Sequence, residues 1–286
     1  MKVAFLGLGV MGFPMAGHLA ARGHQVTVFN RTAEKAVRWL ALHEGAIAAS
    51  PAEAAEGAWV VFSCLGDDPD VEAVLGAAAP SIAKGAIIVD HTTASPALAR
   101  RLAGRFRAQG AGFIDAPVSG GQAGAESGKL SVMCGGEAAD VERTRSVMEA
   151  YAARIVHIGP SGHGQLCKAV NQICIAGLLQ GLAEGVHFAK ATGLDINKTF
   201  EAISGGAARS WQMENRMKTM SEDRFDFGFA VDWMRKDLRI ALDEARMSGA
   251  QLPATALIDQ FYADIQALGG GRLDTSSLVK RLKRRA

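Results

Sequence analysis

This 286-residue sequence predicts an α/β sheet unit followed by an all-helical unit, the two joined by one long helix. Three observations carry that reading. Short apolar runs alternate with amphipathic helical stretches through the first half, the pattern of a parallel sheet with crossover helices. From His163 onward no strand-like run occurs, and only helical periodicity remains. The change falls at Gly159-Pro160-Ser161-Gly162, which sets the expected domains at 1–161 and 162–286.

Each element has its own warrant. Lys2-Val3-Ala4-Phe5-Leu6 is an apolar run of strand length, and Gly7-Leu8-Gly9-Val10-Met11-Gly12 follows at once. An amphipathic helix then continues through His18, Leu19 and Arg22. Gly23 punctuates, and Gln25-Val26-Thr27-Val28-Phe29 makes a second strand that ends at Asn30-Arg31-Thr32 before a helix over 32–42. Further strands are expected at 59–63, 86–90, 112–115, 130–134 and 154–157, with helices at 68–79, 95–109 and 138–150 between them. Ser95-Pro96 reads as an N-cap followed by proline in the first helical position. The helical unit opens with a helix over about 164–192, well beyond the mean of about 11–12 residues. Gly193-Leu194-Asp195 ends it and caps the next. Helices at 196–203, 211–218, 231–248, 253–268 and 275–284 complete the chain.

Composition narrows the function. Hydrophobic residues make up 49% of the chain, enough for a sizeable core and too many for disorder. A net charge of +2 gives no case for a nucleic-acid partner. The one basic run, Lys280-Arg281-Leu282-Lys283-Arg284-Arg285, reads as the solvated end of a last helix, with phosphate binding as the alternative. Four cysteines without a CxxC pair or a histidine cluster argue against a zinc site and a disulfide framework. They fit reduced thiols in a cytoplasmic protein. The N-terminus is a core strand rather than an export segment, and the longest apolar stretch, 173–182, is broken by Gly and Gln. No membrane partner is expected.

The opening strand, glycine turn, helix and second strand stand in the order of a Rossmann dinucleotide-binding unit. Gly7 makes the tight turn, Gly9 lets a pyrophosphate approach the backbone, and Gly12 allows close helix–strand packing. An acidic residue at the end of the second strand would bind the ribose hydroxyls of NAD. Asn30, Arg31 and Thr32 stand there instead, and a guanidinium suits a 2′-phosphate, so NADP is favoured over NAD. The alternative is a solvated Arg31 that merely precedes the next helix. In open sheets ligands bind beyond the carboxyl ends of the strands, which places the loops 64–68, 91–93 and 116–122 near the cofactor.

Two further motifs follow. In Asp115-Ala116-Pro117-Val118-Ser119-Gly120-Gly121, Ser119 offers a hydroxyl while Gly120 and Gly121 offer unobstructed N–H groups, an arrangement suited to a carboxylate or simply to a tight turn. Lys168, Asn171 and Gln172 share one face of the long helix. That face is otherwise apolar, so a lysine there snorkels, pairs, or exchanges protons near neutral pH. Helix pattern alone favours snorkelling. Lys236, in Lys236-Asp237-Leu238, reads either as a ligand contact or as a surface partner of Asp232. The seven histidines show no triad or metal pairing, and no metal is expected.

These motifs stop being independent in one resemblance. The stretch from Gly7 to Ala16, Asp115 to Gly121, Gly162-x-Gly-x-x-x-Lys168-x-x-Asn171 and Lys236-Asp237-Leu238 resemble the β-hydroxyacid dehydrogenase family, in family order and spacing across essentially the whole chain. The resemblance reverses the reading of Lys168. It implies that Lys168 is the catalytic acid/base, that Ser119, Gly120 and Gly121 hold the substrate carboxylate, and that Asn171 orients substrate or lysine. Gln172 stands where the family often has a second Asn, and it is expected on the substrate side. Thr93, Lys236, Leu65 and Gly66 match cofactor-contacting positions. Asn30-Arg31-Thr32 resembles the NADPH-using semialdehyde reductases more than the NAD-using 3-hydroxyisobutyrate enzymes. The expected activity is hydride transfer between NADP(H) and a small carboxylate-bearing semialdehyde or β-hydroxyacid. The alternatives are an NAD-using 3-hydroxyisobutyrate or L-serine dehydrogenase, an imine reductase (a class that usually replaces this lysine), and a non-catalytic cofactor-binding module. A long apolar helix in a helical unit wants partners on several sides, so a homodimer or homotetramer is expected.

Overall fold

The computed structural model describes residues 1–282, and the chain divides into two compact units, Met1–Lys168 and the part from Ala169 onward. In the first unit the strands are β1 (Lys2–Leu6), β2 (Gln25–Phe29), β3 (Ala46–Ile47), β4 (Val60–Ser63), β5 (Ile87–Asp90), β6 (Gly112–Asp115), β7 (Val118–Ser119), β8 (Leu130–Gly135) and β9 (Ala152–Gly159). They form one sheet in the order β3-β2-β1-β4-β5-β6-β8-β7, with β9 on β8. The helices of this unit are α1 (Gly12–Ala21), α2 (Ala33–Leu40), α3 (Pro51–Ala55), α4 (Asp68–Ala78), α5 (Pro96–Ala108), α6 (Gly121–Glu126) and α7 (Ala138–Met148).

Helices cover both faces of this sheet, which explains the continuous apolar runs of its strands. Alternate side chains enter different cores. Val3, Phe5, Val28 and Phe62 pack on one face with Trp39 and Tyr151, while Ala4, Leu6, Val61 and Ile88 pack on the other with Leu102 and Phe106. The sequence predicts a parallel sheet, and the observed sheet corrects that expectation, because it is mixed. Pairing is parallel from β3 to β6, but β8 runs antiparallel to β6 and β7. The connection from β6 to β8 is taken up by β7, which pairs antiparallel with β8, and by the short α6, so no crossover helix intervenes. The same stretch corrects the reading of 116–122 as loop. Elements of two to six residues, here β3, α3, β7 and α6, carry too few residues for a period to register.

α8 (His163–Ala191) runs from the first unit into the second. Alone among the described residues it is long and apolar enough, by length and composition, to cross a membrane, with a mean hydropathy of 1.3 over its most apolar window. Reading 173–182 as the longest apolar stretch understated it, because Gly and Gln interrupt the run of letters without interrupting the helix. Ala176, Leu179, Ala183 and Val186 lie in the core of the second unit. That core is completed by α9 (Ile196–Ile203), α10 (Trp211–Ser221), α11 (Val231–Ser248) and α12 (Pro253–Ala267). The expected final helix is a 3₁₀ segment, Thr275–Leu282, in which five successive residues from Thr275 to Val279 are buried. A burial run of that kind does not fit one face of an α-helix. Residues 283–285 of the basic run lie outside the described residues.

Candidate active site

The turn between β1 and α1 has the steric profile of a dinucleotide cradle. Gly7 has φ +101°, and a Cβ there would stand 2.4 Å from the Cys64 carbonyl oxygen. A Cβ on Gly12 would stand 2.0 Å from the Gly7 carbonyl oxygen. Gly9 is the opposite case, since a Cβ there meets nothing within 4 Å. The chain thus closes up behind the turn and leaves open space in front of it, as a bound pyrophosphate requires. A cavity of about 620 Å³ adjoins this open side, lined by Leu8, Gly9 and Val10 and by the basic side chains His18, Lys35 and Arg38. Its size is that of a small-molecule site, with pockets typically about 300–1,000 Å³. Val10 is exposed and Met11 half-buried at the start of α1.

Asn30, Arg31 and Thr32 divide the work at the end of β2. Asn30 Oδ1 accepts the Leu8 N–H at 2.8 Å and Asn30 Nδ2 donates to the Thr32 carbonyl at 3.0 Å, so both of these hydrogen bonds shape the protein's own turn. Arg31 projects into solvent with its side chain 88% exposed and pairs with Asp70 at 3.2 Å. Lys35 lies in the first turn of α2, four residues beyond Arg31. The signal by which sequence reading could have found it is a basic residue in the first turn of the helix that follows the second strand.

The loops after β4 and β5 are tied together. Asp90 Oδ1 accepts from Ser63 Oγ at 2.8 Å and from Thr92 Oγ1 at 2.7 Å, and Thr92 Oγ1 accepts the Leu65 N–H at 2.9 Å. Leu65, Gly66 and Thr93 are half-buried on these loops. His91 is fully inside. Its Nδ1 donates to the Ala116 carbonyl at 2.7 Å, which leaves Nε2 to accept the Tyr151 hydroxyl at 2.8 Å. Burial lowers the His91 pKa to about 4, so the neutral ring is structural at pH 7.

β7 ends on Ser119, and Gly120 (φ +127°) and Gly121 (φ +59°) turn the chain into α6. A Cβ on Gly121 would meet nothing within 4 Å, so its backbone faces open space. Lys168 belongs to the same unit. It sits near the start of α8, only 7% exposed.

The second unit assembles three of the remaining candidates around a residue the sequence reading passed over. Asp237 is buried on α11. Its Oδ2 accepts from Gln172 Nε2 at 2.5 Å, and its Oδ1 lies 3.1 Å from Lys236 Nζ. Gln172 Oε1 in turn accepts from Asn171 Nδ2 at 2.7 Å. Lys236 is therefore paired with its sequence neighbour rather than with Asp232, whose carboxylate accepts from Gln266. Among the described residues no group of His, Cys, Asp or Glu could hold a metal ion, and all four cysteines are free thiols.

Comparison with known proteins matches both parts of the chain. Residues 2–159 match the family described as the NAD binding domain of 6-phosphogluconate dehydrogenase. Residues 162–282 match the NAD-binding family of NADP-dependent 3-hydroxyisobutyrate dehydrogenase. The chain is 57% identical to an uncharacterised oxidoreductase of Shewanella frigidimarina, covering 99% of this chain and 98% of the relative. It is 37% identical to the 2-hydroxy-3-oxopropionate reductase of Escherichia coli, over 99% and 97% of the two chains. Among solved structures, the 3-hydroxyisobutyrate dehydrogenase of Mycobacterium tuberculosis, determined with L-serine, superposes with a TM-score of 0.91 at 30% identity and 99% coverage of both chains.

Proposed function

This chain belongs to the β-hydroxyacid dehydrogenase family and is an NAD(P)-dependent oxidoreductase, and from that premise we propose that it reduces a small carboxylate-bearing semialdehyde with NADP(H) as cofactor and Lys168 as general acid/base. The observation that carries the proposal is a nearly buried lysine in the same compact unit as the Gly9 cradle and the open Ser119–Gly121 turn.

In this reading Gly7 to Gly12 hold the pyrophosphate, Leu65, Gly66 and Thr93 flank the cofactor, and Arg31 exchanges Asp70 for the 2′-phosphate. Bound NADPH supplies the hydride. Ser119 Oγ and the N–H groups of Gly120 and Gly121 hold the substrate carboxylate, and that remote anchor fixes the carbonyl for reaction. Lys168 Nζ donates a proton to the carbonyl oxygen as negative charge develops there, and its own positive charge stabilises that oxygen. In the oxidative direction the neutral amine takes the hydroxyl proton. Asn171 and Gln172, held in register by Asp237, orient the reacting groups, and Lys236 contacts the cofactor. Self-association as a dimer or tetramer completes the proposal, supported by the exposed Val170, Leu178 and Phe188 on α8.

The test is kinetic. Glyoxylate, succinic semialdehyde, 2-hydroxy-3-oxopropionate, 3-hydroxyisobutyrate and L-serine are assayed with both NADP(H) and NAD(H). Lys168→Ala is then expected to lose about 10²–10⁴ in kcat on the best substrate while binding NADPH normally. Near-normal turnover in that variant rejects the role of Lys168.

A further inference from the structure

Two buried polar side chains at the start of α8 take no part in the chemistry above, and both make their hydrogen bonds to backbone. Asp115, the last residue of β6, is fully buried. Its Oδ1 accepts the Gly162 N–H at 2.7 Å and its Oδ2 accepts the Gln165 N–H at 3.1 Å. Gln165 is 2% exposed. Its Oε1 accepts the Ala94 N–H at 3.1 Å and its Nε2 donates to the Thr92 carbonyl at 2.7 Å. The first turn of α8 is thus gripped from two directions, by the end of β6 through main chain and by the loop after β5 through the Gln165 side chain.

There is no slack in the grip. A Cβ on Gly164 would stand 2.4 Å from the Asp115 carbonyl oxygen and 2.5 Å from that of Met133. A Cβ on Gly135 would stand 2.6 Å from the Gly164 nitrogen. Helix and sheet therefore meet at backbone distance, where a shift of one side chain cannot absorb a change of register.

Capping alone does not require such a device. The first N–H groups of any helix need partners, and Ser50, Ser95, Asp195 and Ser210 supply them locally for α3, α5, α9 and α10. At α8 the carboxylate comes from a residue 47 positions earlier, and it is held in a site where burial opposes its charge. What the distant cap adds over a local one is a fixed rotation and height of the helix relative to the sheet.

Three residues after Gln165 comes Lys168. Asp115 ends the strand that leads on to β7 and Ser119, and Thr92 and Ala94 flank Thr93. We propose that Asp115 and Gln165 are positioning residues, a two-point latch that fixes Lys168 against the loop bearing Thr93 and the strand β7 that ends on Ser119. The inference rests on the reading of Lys168 as acid/base. A displacement of about 1 Å in a reacting group costs on the order of a hundredfold in rate, so the latch has kinetic weight.

The full-length variants Gln165→Met, Gln165→Glu and Asp115→Asn are assayed with NADPH and with glyoxylate or succinic semialdehyde. Gln165→Met is expected to lower kcat by roughly ten- to a hundredfold, with substrate KM and the NADPH Kd (fluorescence titration without substrate) within about twofold. Gln165→Glu, which keeps the acceptor for Ala94 N–H, falls between it and the parent. Hydrogen exchange of amides 162–168 quickens in the same order. In a Lys168→Ala background Gln165→Met causes no further loss, because it acts through Lys168. Should Asp115→Asn fail to fold, the two Gln165 variants carry the same test. A lowered melting temperature with unchanged kcat per folded molecule assigns the latch to stability alone and overturns the proposal. So does a further tenfold loss in the Lys168→Ala background. Lys168→Ala with normal turnover rejects the acid/base reading itself, whereas an inactive Lys168→Ala beside fully active Gln165 variants rejects only the latch.

Discussion

Alanine at Gly9 and alanine at Gly12 separate cofactor binding from folding within four residues of chain. At Gly12 the new Cβ would stand 2.0 Å from the Gly7 carbonyl oxygen and 2.9 Å from a ring carbon of Phe5. Non-bonded carbon and oxygen approach to about 3.3 Å, so α1 must retreat from its own turn by more than about 1 Å. Overpacking against side chains costs about 1–3 kcal/mol, and a backbone oxygen yields less readily, so about 3 kcal/mol is expected. The roughly 1 kcal/mol of helix propensity that alanine adds does not offset it. For a unit of this size, about 2–4 °C per kcal/mol makes a fall in Tm of about 6–12 °C. At Gly9 the added methyl meets nothing within 4 Å, and φ lies outside the positive range, so stability is expected to stay within about 0.5 kcal/mol. The same methyl occupies the space a pyrophosphate needs, so the NADPH Kd rises at least about tenfold, or about 1.4 kcal/mol. Thermal melts and fluorescence titration with NADPH read the two effects separately. Normal NADPH affinity in Gly9→Ala, or an unchanged Tm in Gly12→Ala, refutes this account of the turn.

Arg31→Ala is expected to weaken NADPH relative to NADH by about tenfold or more, the loss of one charge-assisted contact. Tm should not change, because the Arg31–Asp70 pair is solvent-exposed. Parallel loss of both cofactors would remove the 2′-phosphate role. Two buried groups set opposing pH dependences of stability. Burial raises the Asp115 pKa from 3.8 to about 7, so its stabilising contribution is complete below 3.8 and is lost as pH rises through 7. The span corresponds to about 4 kcal/mol. Burial lowers His91 from 6.5 to about 4, so its contribution is complete above 6.5 and is lost as pH falls through 4, about 3 kcal/mol in all. Urea unfolding across this range should show the stability difference between parent and Asp115→Asn shrinking with rising pH, and that between parent and His91→Gln growing. A flat difference in either case contradicts the assignment.

How legible the molecule was depended on how local each feature is. β2, β6, α9 and α11 stand at the residues expected for them, because short apolar runs and 3.6-period patterns bounded by local turn and cap residues are features of neighbouring letters. The Ser95 cap is equally local, and its hydroxyl accepts the Leu98 N–H at 3.1 Å as the Ser-Pro pair predicts. The reversal of β8 against β6 was not legible, since strand direction follows from connection length and pairing rather than from composition. Asn30 shows the limit inside a motif. Its letter placed it beside the cofactor, and only the structure shows that its side chain also accepts the Leu8 N–H and donates to the Thr32 carbonyl. Asp237 was written in the Lys-Asp-Leu motif, yet its partner Gln172 lies 65 positions away and no spacing rule joins them.

By itself the sequence determined the glycine turn, the two-part order of sheet and helices, and the family to which both parts belong. These depend on nearest neighbours along the chain, on which residues lack a Cβ and which repeat with a helical or strand period. Only the tertiary structure decided which polar side chains serve the backbone. Asp115 and Gln165 serve the backbone, holding the first turn of the helix that carries Lys168. The reason is physical. A buried polar group must find its partner in space, and the partner's position along the chain is set by the fold rather than by the letters beside it.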